Sequence, residues 1–219
     1  MKNHFYEHAN ISSIIDKLNP KVVMELGCGN FENFLCILTY LFKSTSDYVV
    51  IGISDNPCPL VLSDFLLNKI MFIQGVSYTV LNKFKTVYKP KMIEKFVQPV
   101  GLAIIDTDHN YYTLKKELDE LLPLLDEKCC LAFHDTNTYE EAGLSGQRFA
   151  NINPDSNSTY EFEGYKDGSE YPLNQIVSTL HKSLMDAINE FIEVNKGFKL
   201  LYKTTEKAGC CVIGRNFEL

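Results

Sequence analysis

The chain has 219 residues, 45% of them apolar and 22% charged, the composition of an ordinary globular protein and a length that suits one domain over residues 1–219. Its net charge of −7 argues against a polyanion binder, because phosphate binding needs a basic patch, so nucleic acid is not an expected partner. No apolar run nears the roughly 20 residues of a membrane span, and Met1 to His8 hold no apolar signal core, so the expected location is cytoplasmic with no membrane association.

Two clusters invite special readings and receive plain ones. The lysines between Lys83 and Lys95 read as a solvated helix or loop. The seven cysteines are Cys28, Cys36, Cys58 and the pairs Cys129/Cys130 and Cys210/Cys211. An odd number without C-x-x-C spacing speaks against a disulfide framework or zinc knuckle, and small core residues are the better reading.

In chain order, Ile11, Ile14, Ile15 and Leu18 have helical spacing, stopped by Asn19-Pro20. Lys21 to Leu26 (KVVMEL) is a strand that breaks into Gly27-Cys28-Gly29. Asn33 to Phe42 predicts a helix, Tyr48 to Ile53 a strand, Leu60 to Leu67 a helix and Lys69 to Gln74 a third strand. A helix is expected from about Tyr78 to Phe96, with a break at Lys89-Pro90. Val100 to Ile105 is the fourth strand, Tyr112 to Leu125 an amphipathic helix and Cys129 to Phe133 the fifth strand. Residues 138–172 are polar and aperiodic, which fits a lid or substrate-binding insertion, and equally a solvated loop. Val177 to Val194 returns to helical spacing, and Phe198 to Tyr202 with Cys210 to Ile213 forms a terminal hairpin.

Alternating helices and near-continuous apolar strands predict a doubly wound α/β domain, with a mostly parallel Rossmann-like sheet and a C-terminal antiparallel hairpin. Such sheets bind ligands beyond the carboxyl ends of their strands, and the polar motifs fall at those ends. Gly27-x-Gly29 lets the backbone turn tightly, and Glu25 places a carboxylate beside the turn where a cationic group could be held. A dinucleotide fingerprint needs a third glycine where Glu32 stands, so a nicotinamide oxidoreductase is poorly supported.

Val22 to Gly29 (VVMELGCG) resembles the E/D-x-G-x-G loop of class I methyltransferases. The resemblance implies S-adenosylmethionine as cofactor, with its methionyl part cradled by Glu25, Gly27, Cys28 and Gly29. The acid that would hold the ribose is displaced by about two positions, leaving Asp55 first and Ser54 second, with a turn-capping Asp55 as the plainer reading. Gly75, Val76 and Ser77 stand where relatives show G-D-S near the adenine. The stretch Asp106-Thr107-Asp108-His109-Asn110-Tyr111, followed by His134-Asp135, is similar to the D-x-D-H-x-Y … HD pattern of sugar and macrolide O-methyltransferases and cephalosporin-hydroxylase-like proteins.

That resemblance implies O-methylation of a hydroxyl on a small molecule or glycan. His109 is the implied general base, Asp106 serves both catalysis and cofactor, and Asp106, His134 and Asp135 hold a divalent cation. Magnesium is the preferred ion, although an imidazole among the ligands tilts toward a softer metal. The structural alternatives are Asp106 as a turn cap, His109 packed against a tyrosine, and His134 bonded to Asp135 or a carbonyl. A degenerate, non-catalytic S-adenosylmethionine binder is the alternative function. Oligomeric state stays open, with a homodimer among the options.

Overall fold

Strands that are apolar on both faces must be covered on both, and the burial pattern follows from that. The computed structural model describes residues 9–28, 31–43, 47–57, 69–88, 94–107, 111–136, 183–204 and 209–219. The sheet contains β1 (Val22–Leu26), β2 (Val49–Ser54), β3 (Ile70–Gln74), β4 (Val100–Ile105), β5 (Leu125–His134), β6 (Phe198–Thr204) and β7 (Cys210–Arg215). Their order is β3-β2-β1-β4-β5-β7-β6. The first five strands pair in parallel, and β7 runs antiparallel between β5 and β6. This is the expected sheet, with one reversed strand. No helix among the described residues is long and apolar enough to cross a membrane.

Helices α1 (Ile11–Leu18) and α2 (Glu32–Lys43) cover one face. There Ile14, Phe34 and Ile37 pack on Val23, Val50, Leu102 and Ala132. On the other face α3 (Ser77–Lys83), α4 (Tyr111–Leu121) and α5 (Leu184–Val194) set Val80, Leu114, Leu118 and Ile188 against Met24, Ile51 and Leu131. Ser183 opens α5 with a capping box: its hydroxyl accepts from the Asp186 amide at 3.2 Å, while its own amide donates to the Asp186 carboxylate at 2.6 Å. Cys129, Cys130, Cys210 and Cys211 are buried, and no described cysteine is in a disulfide. Burial pushes the Cys129 and Cys210 thiols up to about 11, so neither is a thiolate at neutral pH.

Three boundaries differ by more than two residues from the expected ones. The helix expected from Tyr78 to Phe96 is regular only as far as Lys83, widens into a π-turn over Phe84–Tyr88, and is followed by a 3₁₀ turn at Glu94–Val97. The widened turn immediately precedes Lys89-Pro90 in the sequence, and the expected break there lies outside the described residues. Helix α4 ends at Leu121, and Pro123 sits in a 3₁₀ turn at Leu122–Leu124. Leu125 instead starts β5, four residues before the expected strand, because Asp126, Glu127 and Lys128 hid an extended segment that pairs Leu125 with Val100 across a bulge. The expected helix at Leu60 to Leu67, the segment 138–172 and residues 177–182 lie outside the described residues.

The end of β1 is pinned to both neighbours. The Gly27 amide donates to the Ile53 carbonyl at 2.8 Å, and the Asp106 amide donates to the Leu26 carbonyl at 2.9 Å. Gly27 has φ +78°, and a Cβ there would lie 2.1 Å from the Asp106 carbonyl oxygen. The glycine therefore serves approach to the protein's own β4 backbone. Gly27→Ala combines left-handed strain of about 1–2 kcal/mol with overpacking of about 1–3 kcal/mol. It is expected to lower unfolding stability by about 2–5 kcal/mol, read from the urea midpoint; a loss under about 1 kcal/mol would show that the turn relaxes.

Candidate active site

Because β1 to β5 are parallel, their carboxyl ends share one rim, and the described candidate residues stand along it. At the β2 end, Ser54 is buried and its hydroxyl accepts from the Asn56 amide at 3.3 Å, while the Asp55 side chain is exposed. The Gly75 amide donates to the Ser54 carbonyl at 2.8 Å and Gln74 Nε2 to the Asp55 carbonyl at 3.2 Å, which ties the β2 and β3 ends together. Val76 is exposed at the start of α3. The Ser77 hydroxyl points inward and donates to Glu117, a fully buried carboxylate on α4. Glu117 also accepts from the Thr107 hydroxyl at 3.1 Å, so one side chain links the loop after β3 to the loop after β4.

Asp106, His134 and Asp135 form the cluster expected at the β4 and β5 ends. His134 Nδ1 is hydrogen-bonded to Asp106 Oδ1 at 2.9 Å and lies 3.3 Å from Asp135 Oδ1. One ligand atom from each of the three residues lies within 4.8 Å of the others, a spacing that suits a cation. Burial opposes a charged His134, but the Asp106 hydrogen bond and the charges of Asp106 and Asp135 outweigh it, and the imidazole pKa is raised above 6.5. Asp135 takes a left-handed φ of 51° directly after the strand, and this bend accompanies its contact with His134. Gly29, Asp108 and His109 lie outside the described residues.

Two site residues escaped the sequence reading. Asn33, in the first turn of α2, donates through Nδ2 to Asp106 Oδ2 at 2.8 Å. Glu117 carried a signal: it falls between Leu114, Leu118 and Leu121 on the apolar stripe of α4, where a carboxylate needs partners. Tyr111, the last residue of the D-x-D-H-x-Y pattern, is buried and donates to Glu190 on α5, 2.7 Å from Oε2. Lys115 reaches the same oxygen at 2.7 Å. A small hollow of about 10 Å³ lies beside the cluster, lined by Ile105, Thr107, Leu114, Phe133, His134 and Leu184.

Buried polar atoms normally find partners, so those that do not are informative. Among the described residues the unpartnered buried side-chain atoms are both carboxylate oxygens of Glu25, Asn33 Oδ1, Thr136 Oγ1 and Arg215 Nε. All but the last stand at the carboxyl rim. Glu25 is fully buried; burial first and the Asp106 charge second raise its pKa well above the usual carboxylate value, tempered by the Cys28 thiol. That thiol lies 3.9 Å from the Glu25 backbone carbonyl and 3.8 Å from that of Ile53. Of these atoms, the Glu25 oxygens and Asn33 Oδ1 are acceptors at the β1 side of the rim, chemistry that would fit a cationic group.

His134, with its pKa raised in the folded state, stabilises the fold below about pH 6.5 and loses that contribution as pH rises through its folded pKa. Asp106→Asn removes the hydrogen-bonded carboxylate and one of the two attracting charges, so the His134 imidazole should titrate lower than in the parent by NMR. An unchanged titration would detach Asp106 from the shift.

The sequence matches a family model described as "Methyltransferase domain" over residues 24–136. No curated protein matches it. Among solved structures it is similar to a proposed caffeoyl-CoA O-methyltransferase from Staphylococcus aureus, at 13% identity and TM-score 0.55, covering 96% of this chain and 83% of that one. An O-methyltransferase from Bacillus cereus solved with S-adenosylhomocysteine gives 11% identity and TM-score 0.53, over 96% and 80% of the two chains. MycE from the mycinamycin biosynthetic pathway, solved with magnesium, S-adenosylhomocysteine and mycinamycin VI, gives 16% identity and TM-score 0.56, over 100% of this chain and 52% of that one. At these identities the likeness is one of fold, and it is the class I methyltransferase fold foreseen from the sequence. The family match runs from within β1 to just beyond the end of β5, over half of the chain, and the chain belongs to the methyltransferase domain family.

Proposed function

We propose that the chain transfers a methyl group from S-adenosylmethionine to a hydroxyl oxygen of a small molecule or glycan. The observation that carries this reading is the backbone contact between Gly27 and Asp106, which joins the acceptor-lined turn after β1 to the acid–histidine cluster. The cofactor supplies a methyl group already activated on a sulfonium, so the protein's work is positioning and proton removal.

In this reading Glu25, Gly27, Cys28 and Gly29 hold the methionyl part. Ser54 and Asp55 face the ribose, while Gly75, Val76 and the backbone of Ser77 face the adenine, the Ser77 hydroxyl being engaged by Glu117. Asp106 serves the cofactor and the reaction at once. Asp106, Asp135 and His134 would hold a divalent cation; two carboxylates suit magnesium, and the imidazole must give up its proton to coordinate. A cation there would orient and acidify the acceptor hydroxyl.

His109 is the proposed general base, since an imidazole titrates near neutrality. Residues 138–172 are proposed to cover the acceptor within a single domain. The mycinamycin bound to MycE supports a small-molecule acceptor here.

Titration calorimetry should detect S-adenosylhomocysteine binding and no NAD binding, and a labelled-methyl screen over hydroxyl acceptors should find transfer. Binding without transfer to any acceptor would instead favour a cofactor binder that has lost turnover. His109→Ala should slow turnover by about 10²–10⁴-fold while S-adenosylhomocysteine affinity stays within about threefold; a large loss of affinity would misplace the residue. Asp135→Ala should abolish any dependence on added divalent ion, and full wild-type activity in excess chelator would overturn the cation.

A further inference from the structure

Resting on the reading above, we propose that Glu117 is a positioning residue that makes one unit of two loops. It holds the loop facing the cofactor's base to the loop that carries Asp106, so that cofactor affinity depends on both.

Three observations lead there. Glu117 is fully buried on α4, and each of its carboxylate oxygens accepts a hydroxyl from a different loop. Oε1 takes the hydroxyl of Ser77, which opens α3 directly after Gly75 and Val76. Oε2 takes the hydroxyl of Thr107, the residue after Asp106, at 3.1 Å. The carboxylate is held firmly, because Leu114, Leu118 and Leu121 of the same helix are buried in the core beneath it.

Strand pairing does not supply this link. In the sheet β3 and β4 are separated by β2 and β1, which sets their ends about 14 Å apart at the usual strand spacing. The gap is crossed from above, by a side chain of α4. Lys116 over the Tyr78 ring at 5.1 Å and Asn82 donating to Glu120 at 2.8 Å also fasten α3 to α4. Glu117 reaches further, to the loop after β4.

Packing alone does not call for a carboxylate at this place. A leucine would continue the apolar stripe of α4, whereas a buried carboxylate must be given donors. Both donors come from loops of the candidate site, so the polar trio fixes their register where an apolar trio would only fill space. Register matters for methyl transfer, since a misplacement of about 1 Å can cost about 10²-fold in rate.

The test is titration calorimetry on the full chain, with folding checked by circular dichroism. The probes are S-adenosylhomocysteine and 5′-methylthioadenosine, which keeps the base, ribose and sulfur but lacks the amino-acid part. Thr107→Val, made at the β4 end, should weaken both probes by about three- to tenfold, and Ser77→Ala should do the same. The double variant should bind about as weakly as either single one, because one broken bond already releases the link. Losses that multiply in the double variant, or a 5′-methylthioadenosine affinity untouched by Thr107→Val, overturn the coupling. Glu117→Gln should stay within about threefold of wild type, since its amide can accept from one hydroxyl and donate to the other. Glu117→Leu should lose as much as the double variant, and wild-type affinity in it overturns the role of Glu117. Should Glu117→Leu melt early, the triple variant Ser77→Ala/Thr107→Val/Glu117→Leu leaves no member of the trio unpaired and is read the same way. Wild-type protein that binds neither probe overturns the cofactor reading and this inference with it; the other adverse outcomes overturn the inference alone.

Discussion

One backbone contact organises this molecule. Gly27 turns with a positive φ against the carbonyl of Asp106, while the Asp106 amide extends the β1–β4 ladder one step beyond the last strand residue. No side chain fits between these two strand ends, so the turn after β1 and the loop after β4 cannot drift apart independently. Helix α2 starts a few residues after the turn, and its first turn is thereby delivered to Asp106, where Asn33 bonds. The cation-sized cluster then needs only β5 alongside β4 to bring His134 and Asp135 into place.

Two fully buried glutamates at this rim show how differently the same group can be accommodated. Glu117 receives hydroxyl donors from Ser77 and Thr107 and becomes a strut between loops. Glu25 has no counter-charge among the described residues and only the Cys28 thiol to temper it, and its pKa rises because of burial and the nearby Asp106 charge. Leaving a buried polar group unpaired costs about 1–3 kcal/mol. The fold bears that cost at the rim where a cationic ligand would offset it, while its described packing elsewhere is otherwise well satisfied.

The sheet was readable from sequence because its strands are unbroken apolar runs; Val100–Ile105 begins and ends where the pattern says. Reading failed where charge hid extended backbone, as at Asp126 to Lys128, and where a helix changed pitch before Pro90. For the site, motifs adjacent in sequence were legible: Asp106, His134 and Asp135 meet as expected. Partners far apart were not. Asn33 is 73 positions from Asp106, and a lone asparagine opening a helix looks like a surface residue. Ser77 was placed at the right rim, but its hydroxyl faces Glu117, a direction that only tertiary packing determines.

The position of β7 carries a consequence for how the molecule is made. This strand is inserted between β5 and β6, and its first residue, Cys210, pairs directly across from His134. During synthesis, β1 to β5 emerge from the ribosome well before the segment that completes the hydrogen-bonding edge of β5. Until residues 210–215 appear, that edge is an open template for any passing strand. Such long-range closure is slow, because loop entropy is lost before the contacts form. The histidine corner of the rim is therefore the last part of the sheet to be walled in, and nascent chains stalled short of it should be the ones most prone to clump.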